Sequence, residues 1–315
     1  MATARPALRL PAKIAAPDLK CDLDLGHEEL LGLLDLTRQV KSNPTRYARS
    51  LAGRYLSLLF EKPSLRTRIT FELAIRQLGG DAVTCIGRIG DREPIKDVAR
   101  NLDRWTNAIV ARVFSQNTIE ELARWSSVPV INALSDLYHP CQALADVFTL
   151  QEQFGDLRGV KLAFAGDGNN VAHSLMLTTL RLGMNFALAC PKGYEPNGEI
   201  LQEAEGLAAV SGSELLITND PFQAVAGAQA VYTDVWASMG QEHEKEKRAA
   251  VFAPYQVNED LFGSAAPDAV FLHCLPAKRG EEVTDAIIEC EHSRVFDQAE
   301  NRLHVQKALL LMLIS

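Results

Sequence analysis

The sequence has no excess of positive charge and no long apolar run, and each absence excludes a class of protein. Its 32 lysines and arginines are outnumbered by 40 aspartates and glutamates, giving a net charge of −8. This balance argues against a general binder of nucleic acid or of membrane surfaces. No apolar stretch approaches the roughly 20 residues that cross a bilayer, and 308–314 comes nearest. Any cationic cluster is therefore local and suits a small anion.

Paired cysteines are also missing. The six cysteines show neither CxxC pairs nor the spacing of zinc ligands, so we expect neither a disulfide framework nor a metal site. We also expect no cofactor. This usage indicates a reducing compartment, the cytoplasm. With 47% hydrophobic and 23% charged residues the composition is that of an ordinary globular protein. A length of 315 residues exceeds the usual single core and predicts two domains.

The stretch 60–78 joins a predicted strand to a predicted helix through a polar loop. The apolar run 55–60 ends at Lys62-Pro63, and apolar residues at helical spacing follow from Ile69. Hydroxyls and guanidinium groups stand at this join: Ser64, Arg66, Thr67 and Arg68. With the unpaired N–H groups of a first helical turn, they predict an anion site, most naturally for a phosphate. The alternative is that Ser64 is only an N-cap and the arginines form a solvated face.

Strands and helices alternate along nearly the whole chain. The predicted strands are 55–60, 82–86, 108–114, 128–133, 160–165, 186–190, 215–218, 230–235 and 270–273. This alternation predicts an α/β fold of two doubly wound parallel-sheet domains joined by interdomain helices. We expect one domain over 1–138, completed by a C-terminal helix at 300–315, and a second over 139–299.

Polar residues interrupt this pattern at predicted strand ends, where open α/β sheets bind ligands. Arg112 lies near the end of an apolar strand and needs an anionic partner there. His139 and Gln142 are three residues apart at a helix start and so share one helix face, although a lone histidine in this place is more often structural.

Three further clusters follow predicted strands: 166–170, 234–240 and 273–276. The turn GDGNN at 166–170 lacks the third glycine and the downstream acid of a dinucleotide fingerprint, so we do not expect NAD. The other two clusters, taken alone, are typical of packing or turns. Their common position at strand ends indicates one site.

Six segments resemble the ornithine carbamoyltransferases of the aspartate/ornithine carbamoyltransferase superfamily. They are, in order, FEKPSLRTR, HPCQALAD, GDGNN, DVWASMGQE, HCLPAKRGEEVTD and ENRLHVQKA. Their order and their spread over most of the chain make the resemblance specific. It implies transfer of the carbamoyl group of carbamoyl phosphate to the δ-amine of L-ornithine, which gives L-citrulline and phosphate, as in arginine biosynthesis.

The resemblance also implies the site residues. The implied catalytic residues are Cys274, Arg112, His139 and Asp234. The implied carbamoyl-phosphate site consists of Ser64, Leu65, Arg66, Thr67, Arg112, His139, Gln142, Cys274, Leu275 and Arg302. The implied ornithine site consists of Asn170, Asp234, Ser238 and Met239. In the family, Arg112 and His139 lie near the carbamoyl oxygen, and the Cys274 position contacts the δ-amine.

The family is built on a homotrimer with active sites at subunit boundaries, and the resemblance implies the same assembly here. The loop 87–93 would then extend to a neighbouring subunit. Arg88 falls where relatives often have glutamine or histidine, and it suits a dianion bound next door. The alternative is a solvated loop.

Leu65 departs from the family's usual Ser-Thr-Arg-Thr-Arg loop and removes a hydroxyl. The resulting Ser-Leu-Arg-Thr-Arg is similar to the N-acetyl- and N-succinylornithine carbamoyltransferases, which are the alternative. An N-acylated substrate lacks the free α-ammonium that Asp234 and Ser238 would suit, so we favour free ornithine. Aspartate as second substrate would clash with Asp234. A catalytically silent homologue would not need the polar set at 66, 112, 139, 142, 234 and 274.

Overall fold

The computed structural model of the chain describes residues 14–62, 64–237 and 244–315. Within them, parallel strands form two separate sheets. The first has the order β2-β1-β3-β4 and contains β1 (Tyr55–Phe60), β2 (Asp81–Ile86), β3 (Ala108–Arg112) and β4 (Val130–Leu134). The second has the order β7-β6-β5-β8-β9 and contains β5 (Lys161–Ala165), β6 (Asn185–Ala189), β7 (Leu215–Thr218), β8 (Ala230–Thr233) and β9 (Val270–His273).

Helices connect the strands and cover the faces of both sheets. They are α1 (His27–Ser42), α2 (Pro44–Tyr47), α3 (Leu65–Gln77), α4 (Ile95–Trp105), α5 (Gln116–Trp125), α6 (Pro140–Phe154), α7 (Asn170–Arg181), α8 (Gly198–Ser211), α9 (Pro221–Val225), α10 (Lys245–Phe252), α11 (Glu259–Phe262), α12 (Asp285–Ile288) and α13 (Val295–Ile314). The predicted α/β class with two doubly wound parallel sheets is confirmed. None of these described helices is long and apolar enough to cross a membrane.

Each sheet has a point at which the strand order reverses. In the first sheet it lies between β1 and β3, and in the second between β5 and β8. In open α/β sheets, ligands bind outside the carboxyl ends of the strands at such points. The loops that leave these four strands, with the starts of α3 and α7, therefore define where a site can form.

Helices α6 and α13 run between the two sheets. Helix α6 is buried along most of its length, and α13 packs against α1, α3 and α6. Lys41 of α1 joins this group, because its Nζ donates to Glu152 Oε1 of α6 at 2.8 Å and to Asn301 Oδ1 of α13 at 2.8 Å. The C-terminal helix thus returns to the first sheet. The domain boundaries given above remain a prediction.

The observed elements differ from the predicted ones mainly at their ends. Helix α13 begins at Val295, so the predicted start near 300 is wrong; Phe296 in its first turn is exposed and breaks the apolar pattern. Strand β8 ends at Thr233 rather than 235. The Thr233 hydroxyl donates to the Ala165 carbonyl at 2.6 Å. The chain then leaves the sheet, so Asp234 lies just beyond the carboxyl end of β8.

Candidate active site

A cleft of about 1120 Å³ lies between the carboxyl ends of the two sheets. Most of the candidate residues line it: Ser64, Leu65, Arg66, Thr67, Arg112, His139, Gln142, Asn170, Asp234, Cys274, Leu275 and Arg302. Of the remaining candidates, Ser238 and Met239 lie outside the described residues. The structure thus brings residues from both sheets and from α13 to one volume.

The first wall of the cleft is the start of α3. Ser64 is the N-cap of this helix, but its side chain makes no capping hydrogen bond, so the reading of Ser64 as only a cap is not supported. Leu65 is 70% exposed and contributes no polar side chain. Thr67 is buried, and its Oγ1 accepts hydrogen bonds from Arg112 Nη1 at 3.3 Å and Arg302 Nη2 at 3.1 Å. The helix start and two guanidinium groups therefore meet at Thr67.

Three arginines raise the positive potential at this wall. Burial, together with the charge of Arg302, lowers the pKa of Arg112 to about 10. Burial also lowers the pKa values of Arg66 and Arg302. Like charges in a low-dielectric site disfavour each other, and a dianion bound among them would offset that repulsion.

A series of buried hydrogen bonds through a side-chain amide orients Arg302. Arg302 Nη1 donates to Gln142 Oε1, and Gln142 Nε2 donates to Asp146 Oδ1 at 2.8 Å. Gln298 Nε2 donates to the same oxygen at 2.6 Å. Burial raises the pKa of Asp146 to about 7. Because the carboxyl accepts from Gln142, the oxygen of that amide is turned toward the arginine.

His139 enters the cleft from the N-cap of α6. Its backbone N–H donates to Ser174 Oγ at 2.8 Å, while its side chain makes no capping bond. The ring is buried, and burial together with the charges of Arg302 and Arg112 lowers its pKa well below 6.5. His139 is therefore a neutral imidazole beside two cations, Arg112 and Arg302.

The opposite wall is built on Asp234 and Cys274. The thiol of Cys274 donates to Asp234 Oδ1 at 3.0 Å, and the N–H of Val235 donates to the same oxygen at 2.8 Å. Asn169 Nδ2 donates to Asp234 Oδ2 at 2.9 Å. Burial, with the charge of Asp234, raises the pKa of Cys274 well above 9. Cys274 is thus a thiol and not a thiolate.

The GDGNN turn supplies both asparagines of this wall. Asn170, the predicted ligand, donates from Nδ2 to the Ser135 carbonyl at 2.7 Å. Asn169 was not predicted as a site residue, yet it contacts Asp234 while its Oδ1 caps α7. Gly168 allows this turn to lie close to the neighbouring loop, because an added Cβ would come within 2.4 Å of Pro196 N.

Leu275 is held by a pair of buried residues that local sequence pattern does not link. Its N–H donates to His273 Nδ1 at 2.8 Å, and His273 Nε2 lies 3.2 Å from Glu282 Oε1. Since Nδ1 accepts, the proton of the neutral ring is on Nε2. Potential metal-ligand atoms of Asp234, His273 and Cys274 lie within 4.8 Å of one another. Both ring nitrogens of His273 already have hydrogen-bond partners, so this cluster does not indicate a metal site.

Arg248 closes the second wall and was not predicted. Its Nη1 donates to Asp167 Oδ2 at 2.7 Å and to the Trp236 carbonyl at 2.9 Å. It joins the turn after β5 to the loop after β8. The only sequence signal was the charged run after the DVWASMG segment.

Arg88 does not line the cleft. Its side chain lies over Phe114, which is at the rim of the cleft. Its guanidinium carbon is 5.2 Å from the centre of the Phe114 ring, and Lys62 Nζ lies 4.6 Å from the same centre. The carboxylate of Glu61 accepts from the N–H of Ile89 at 3.1 Å and from that of Phe114 at 2.7 Å. Glu61 thus ties the loop containing Arg88 to the end of β3.

A cationic wall faces a carboxylate and a thiol across the carboxyl ends of two parallel sheets, an arrangement typical of the active sites of two-sheet α/β enzymes. Residues 18–152 match the family model of the aspartate/ornithine carbamoyltransferase carbamoyl-P binding domain, and residues 158–313 match that of the Asp/Orn binding domain. The chain belongs to the aspartate/ornithine carbamoyltransferase family.

Individual relatives agree with this membership. The chain is 51% identical over 297 residues to the ornithine carbamoyltransferase of Anoxybacillus flavithermus, covering 92% of this chain and 94% of that protein. The structure of the ornithine carbamoyltransferase of Pyrococcus furiosus superposes with a TM-score of 0.93 at 47% identity, covering 96% of this chain and 99% of that one. An N-acetyl-L-ornithine transcarbamylase structure superposes with a TM-score of 0.85 at 33% identity, covering 94% and 99% of the two chains.

Proposed function

We propose that this protein transfers the carbamoyl group of carbamoyl phosphate to the δ-amine of L-ornithine, giving L-citrulline and phosphate. The observation that carries the proposal is the meeting of Arg112 and Arg302 at Thr67, opposite the pair formed by Asp234 and Cys274. An anionic donor fits the first group and a cationic amino acid fits the second. The relatives named ornithine carbamoyltransferase support the same substrates.

Carbamoyl phosphate binds with its phosphate at the start of α3. The phosphate oxygens accept hydrogen bonds from the first-turn N–H groups of α3, from Ser64 and from the guanidinium of Arg66. Arg302 lies on the far side of Thr67. As the C–O bond to phosphate breaks, negative charge grows on the leaving oxygen. The same donors then bind more strongly, which lowers the barrier.

The carbamoyl oxygen lies between Arg112 and His139. Attack by the amine produces a tetrahedral oxyanion there, and a preorganised donor at such a position contributes ~10²–10³-fold to the rate. When this intermediate collapses, the C–O bond to phosphate breaks and the attacking nitrogen gives up one proton, which leaves with the phosphate. Because His139 is neutral, it supplies a hydrogen bond without adding a fourth charge to the arginine cluster. Gln142 and the Leu275 backbone contact the carbamoyl amide.

Ornithine binds against the second wall. Its δ-amine attacks in the neutral form although a free amine of this kind has a pKa of about 10.4, so the site must not stabilise the ammonium. The protonated thiol of Cys274 meets this need, since a thiolate would favour an ammonium ion. Asp234 holds the α-ammonium, with Ser238 and Met239, and Asn170 holds the α-carboxylate.

A substrate panel tests this function and its alternative. Carbamoyl phosphate is offered with ornithine, N-acetylornithine, N-succinylornithine, putrescine and aspartate, and the carbamoylated product is measured. We expect kcat/KM for ornithine to exceed that for each other acceptor by ~10²-fold or more, because each lacks a group that the site binds. A higher value for an N-acylated ornithine would establish the alternative. No product with any acceptor would identify a catalytically silent homologue.

We further propose that the protein is a homotrimer with sites at subunit boundaries. The first sheet exposes large apolar residues along its edge strand β2 and nearby, where a monomer would leave them in water: Tyr55, Val83, Ile86 and Trp105. On the adjacent α3, Leu65, Ile69 and Leu73 are also exposed. In this proposal Arg88 extends toward the carbamoyl-phosphate site of a neighbouring subunit.

We also propose a cytoplasmic location, which fits the six cysteines, each of which is free.

Mixing two inactive variants tests the shared site. Arg66→Ala removes the resident arginine and Arg88→Ala the donated one, so a hybrid trimer would regain one intact site. We expect activity to appear only after the two proteins have exchanged subunits. Arg92→Ala is the matched control, since this arginine lies in the same loop and should leave the homotrimer active. A monomer at assay concentration, or no activity from verified hybrids of two inactive parents, would refute the shared site.

A further inference from the structure

Asp22 is a buried carboxyl group outside the cleft. It lies in a single 3₁₀ turn, Asp22–Asp24, before α1 and is 3% exposed. Its Oδ2 accepts a hydrogen bond from Ser174 Oγ at 2.5 Å, and its Oδ1 accepts one from Thr178 Oγ1 at 3.0 Å. Both hydroxyls stand on α7, four residues apart on one face. The N-terminal segment is thus bonded to a helix of the second sheet.

Ser174 links this carboxyl group to His139. The Ser174 hydroxyl has one proton, and its short bond to Asp22 uses that proton. A lone pair of the same oxygen then accepts the His139 backbone N–H at 2.8 Å. Asp22 therefore determines the direction of the hydroxyl, and the hydroxyl holds the residue from which α6 begins. The Thr178 hydroxyl, one turn further along α7, bonds the same carboxyl group.

The bond to Ser174 Oγ holds the His139 N–H, while the His139 carbonyl accepts the N–H groups of Gln142 and Ala143 in the first turn of α6. The buried ring Nδ1 has no hydrogen-bond partner among the described residues, so no protein contact at that atom orients the imidazole. The next residue, Pro140, has no N–H of its own. Loss of the Ser174 hydroxyl would leave the buried His139 N–H unpaired, which costs free energy unless the backbone moves. A backbone shift would carry the ring with it.

We infer that Asp22 and Ser174 are positioning residues that set the place of the His139 imidazole in the cleft. They do not contact substrate. The inference rests on the proposed function, because that function places His139 at the carbamoyl oxygen. It also gives a reason for a costly buried carboxyl group, since an apolar residue at 22 could not direct the serine hydroxyl.

Ser174→Ala tests the inference, and Thr178→Val is its matched control. Each removes one hydroxyl bonded to Asp22, but only the first breaks the link to His139. We expect Ser174→Ala to lower kcat ~10- to 100-fold, as a displacement of about 1 Å at the reacting centre does, with a smaller change in the KM for ornithine. We expect Thr178→Val to lower the melting temperature comparably while kcat stays within about threefold of the wild type. Equal kcat losses in the two variants would mean a merely structural role.

A double-mutant cycle shows whether the effect passes through His139. In a His139→Ala background, adding Ser174→Ala should reduce kcat no further, whereas independent residues would multiply their losses. Asp22→Ala is the second variant: it should lower kcat and be non-additive with Ser174→Ala. Multiplicative losses in either cycle would overturn the inference.

Nuclear magnetic resonance of the histidine rings supplies a readout that needs no turnover. The His139 ring signals should shift in Ser174→Ala and stay in place in Thr178→Val. An unmoved His139 signal in folded Ser174→Ala would overturn the positioning role even if the wild type makes citrulline. Failure of the wild type in the substrate panel would instead refute the proposed function, and the ring signals would still decide whether Ser174 positions His139.

Discussion

Replacing Arg302 by methionine should lower kcat/KM for carbamoyl phosphate by ~10³-fold, because one guanidinium both binds the dianion and stabilises its departing phosphate. Arg302 is 2% exposed and bonded to Thr67 and Gln142, so no solvent cation can take its place. Arg302→Lys is the control: it keeps the charge and loses the planar fork, and its loss should be smaller. Steady-state kinetics with ornithine saturating measures all three proteins.

The same substitution should change the melting temperature of the ligand-free enzyme little, because the loss of the hydrogen bonds to Thr67 and Gln142 is offset by relief of charge repulsion. Burial lowers the pKa values of Arg302 and Arg112, which means that folding disfavours their charged forms; methionine removes one of the mutually repelling charges. At 100 times its Kd, carbamoyl phosphate should stabilise the wild type by ~2.7 kcal/mol and the variant far less. A variant with normal kcat/KM, or one that carbamoyl phosphate still stabilises fully, would contradict the role given to Arg302.

Asp234→Asn should raise the KM for ornithine by ~10²–10³-fold, because the substitution leaves a buried α-ammonium without its counter-charge. The KM for carbamoyl phosphate should change far less, since the cationic wall is intact. The asparagine at 234 also disturbs its neighbours. The amide of Asn169 is fixed by its cap on α7 and presents an NH₂ group, so an NH₂ group at 234 would face another donor and lower the melting temperature.

Glu195→Gln separates the effect of position from that of charge. Glu195 also lines the cleft, and its replacement changes the charge of the site by the same unit. We expect a change in the KM for ornithine of less than about fivefold, as for an exposed charge at the rim.

Equal loss toward ornithine and N-acetylornithine in Asp234→Asn would contradict the assignment of Asp234 to the α-ammonium, and a shift of preference to N-acetylornithine would support it.

Local sequence pattern predicted the regular alternation of strands and helices. Strands such as 55–60 and 270–273 were predicted with their observed bounds, because strands covered on both faces are continuous apolar runs. Helices α11 and α12 were not predicted, since a single turn has too few residues to show a helical period. The true start of α13 was missed for the related reason that its first turn is not amphipathic.

The cleft residues were predicted through motif resemblance, and their partners were not. Nothing near Asp22 indicates that it meets Ser174, and nothing near His273 indicates that it meets Glu282. Such pairs depend on tertiary packing between segments that carry no common signal. Asn169 was not predicted for another reason: adjacent residues share every local pattern, and only the turn geometry shows that Asn169 contacts Asp234.

The return of α13 to the first sheet has a consequence for synthesis on the ribosome. Domains generally fold as they emerge, N-terminal first, yet α1 and α3 pack against a helix that ends at residue 314. Their apolar faces must stay exposed, or covered by a chaperone, until almost the whole chain has been translated. The carbamoyl-phosphate site also lacks Arg302 until then. A nascent chain stalled before 295 should therefore show an unprotected first domain on brief proteolysis, and a full-length chain should not.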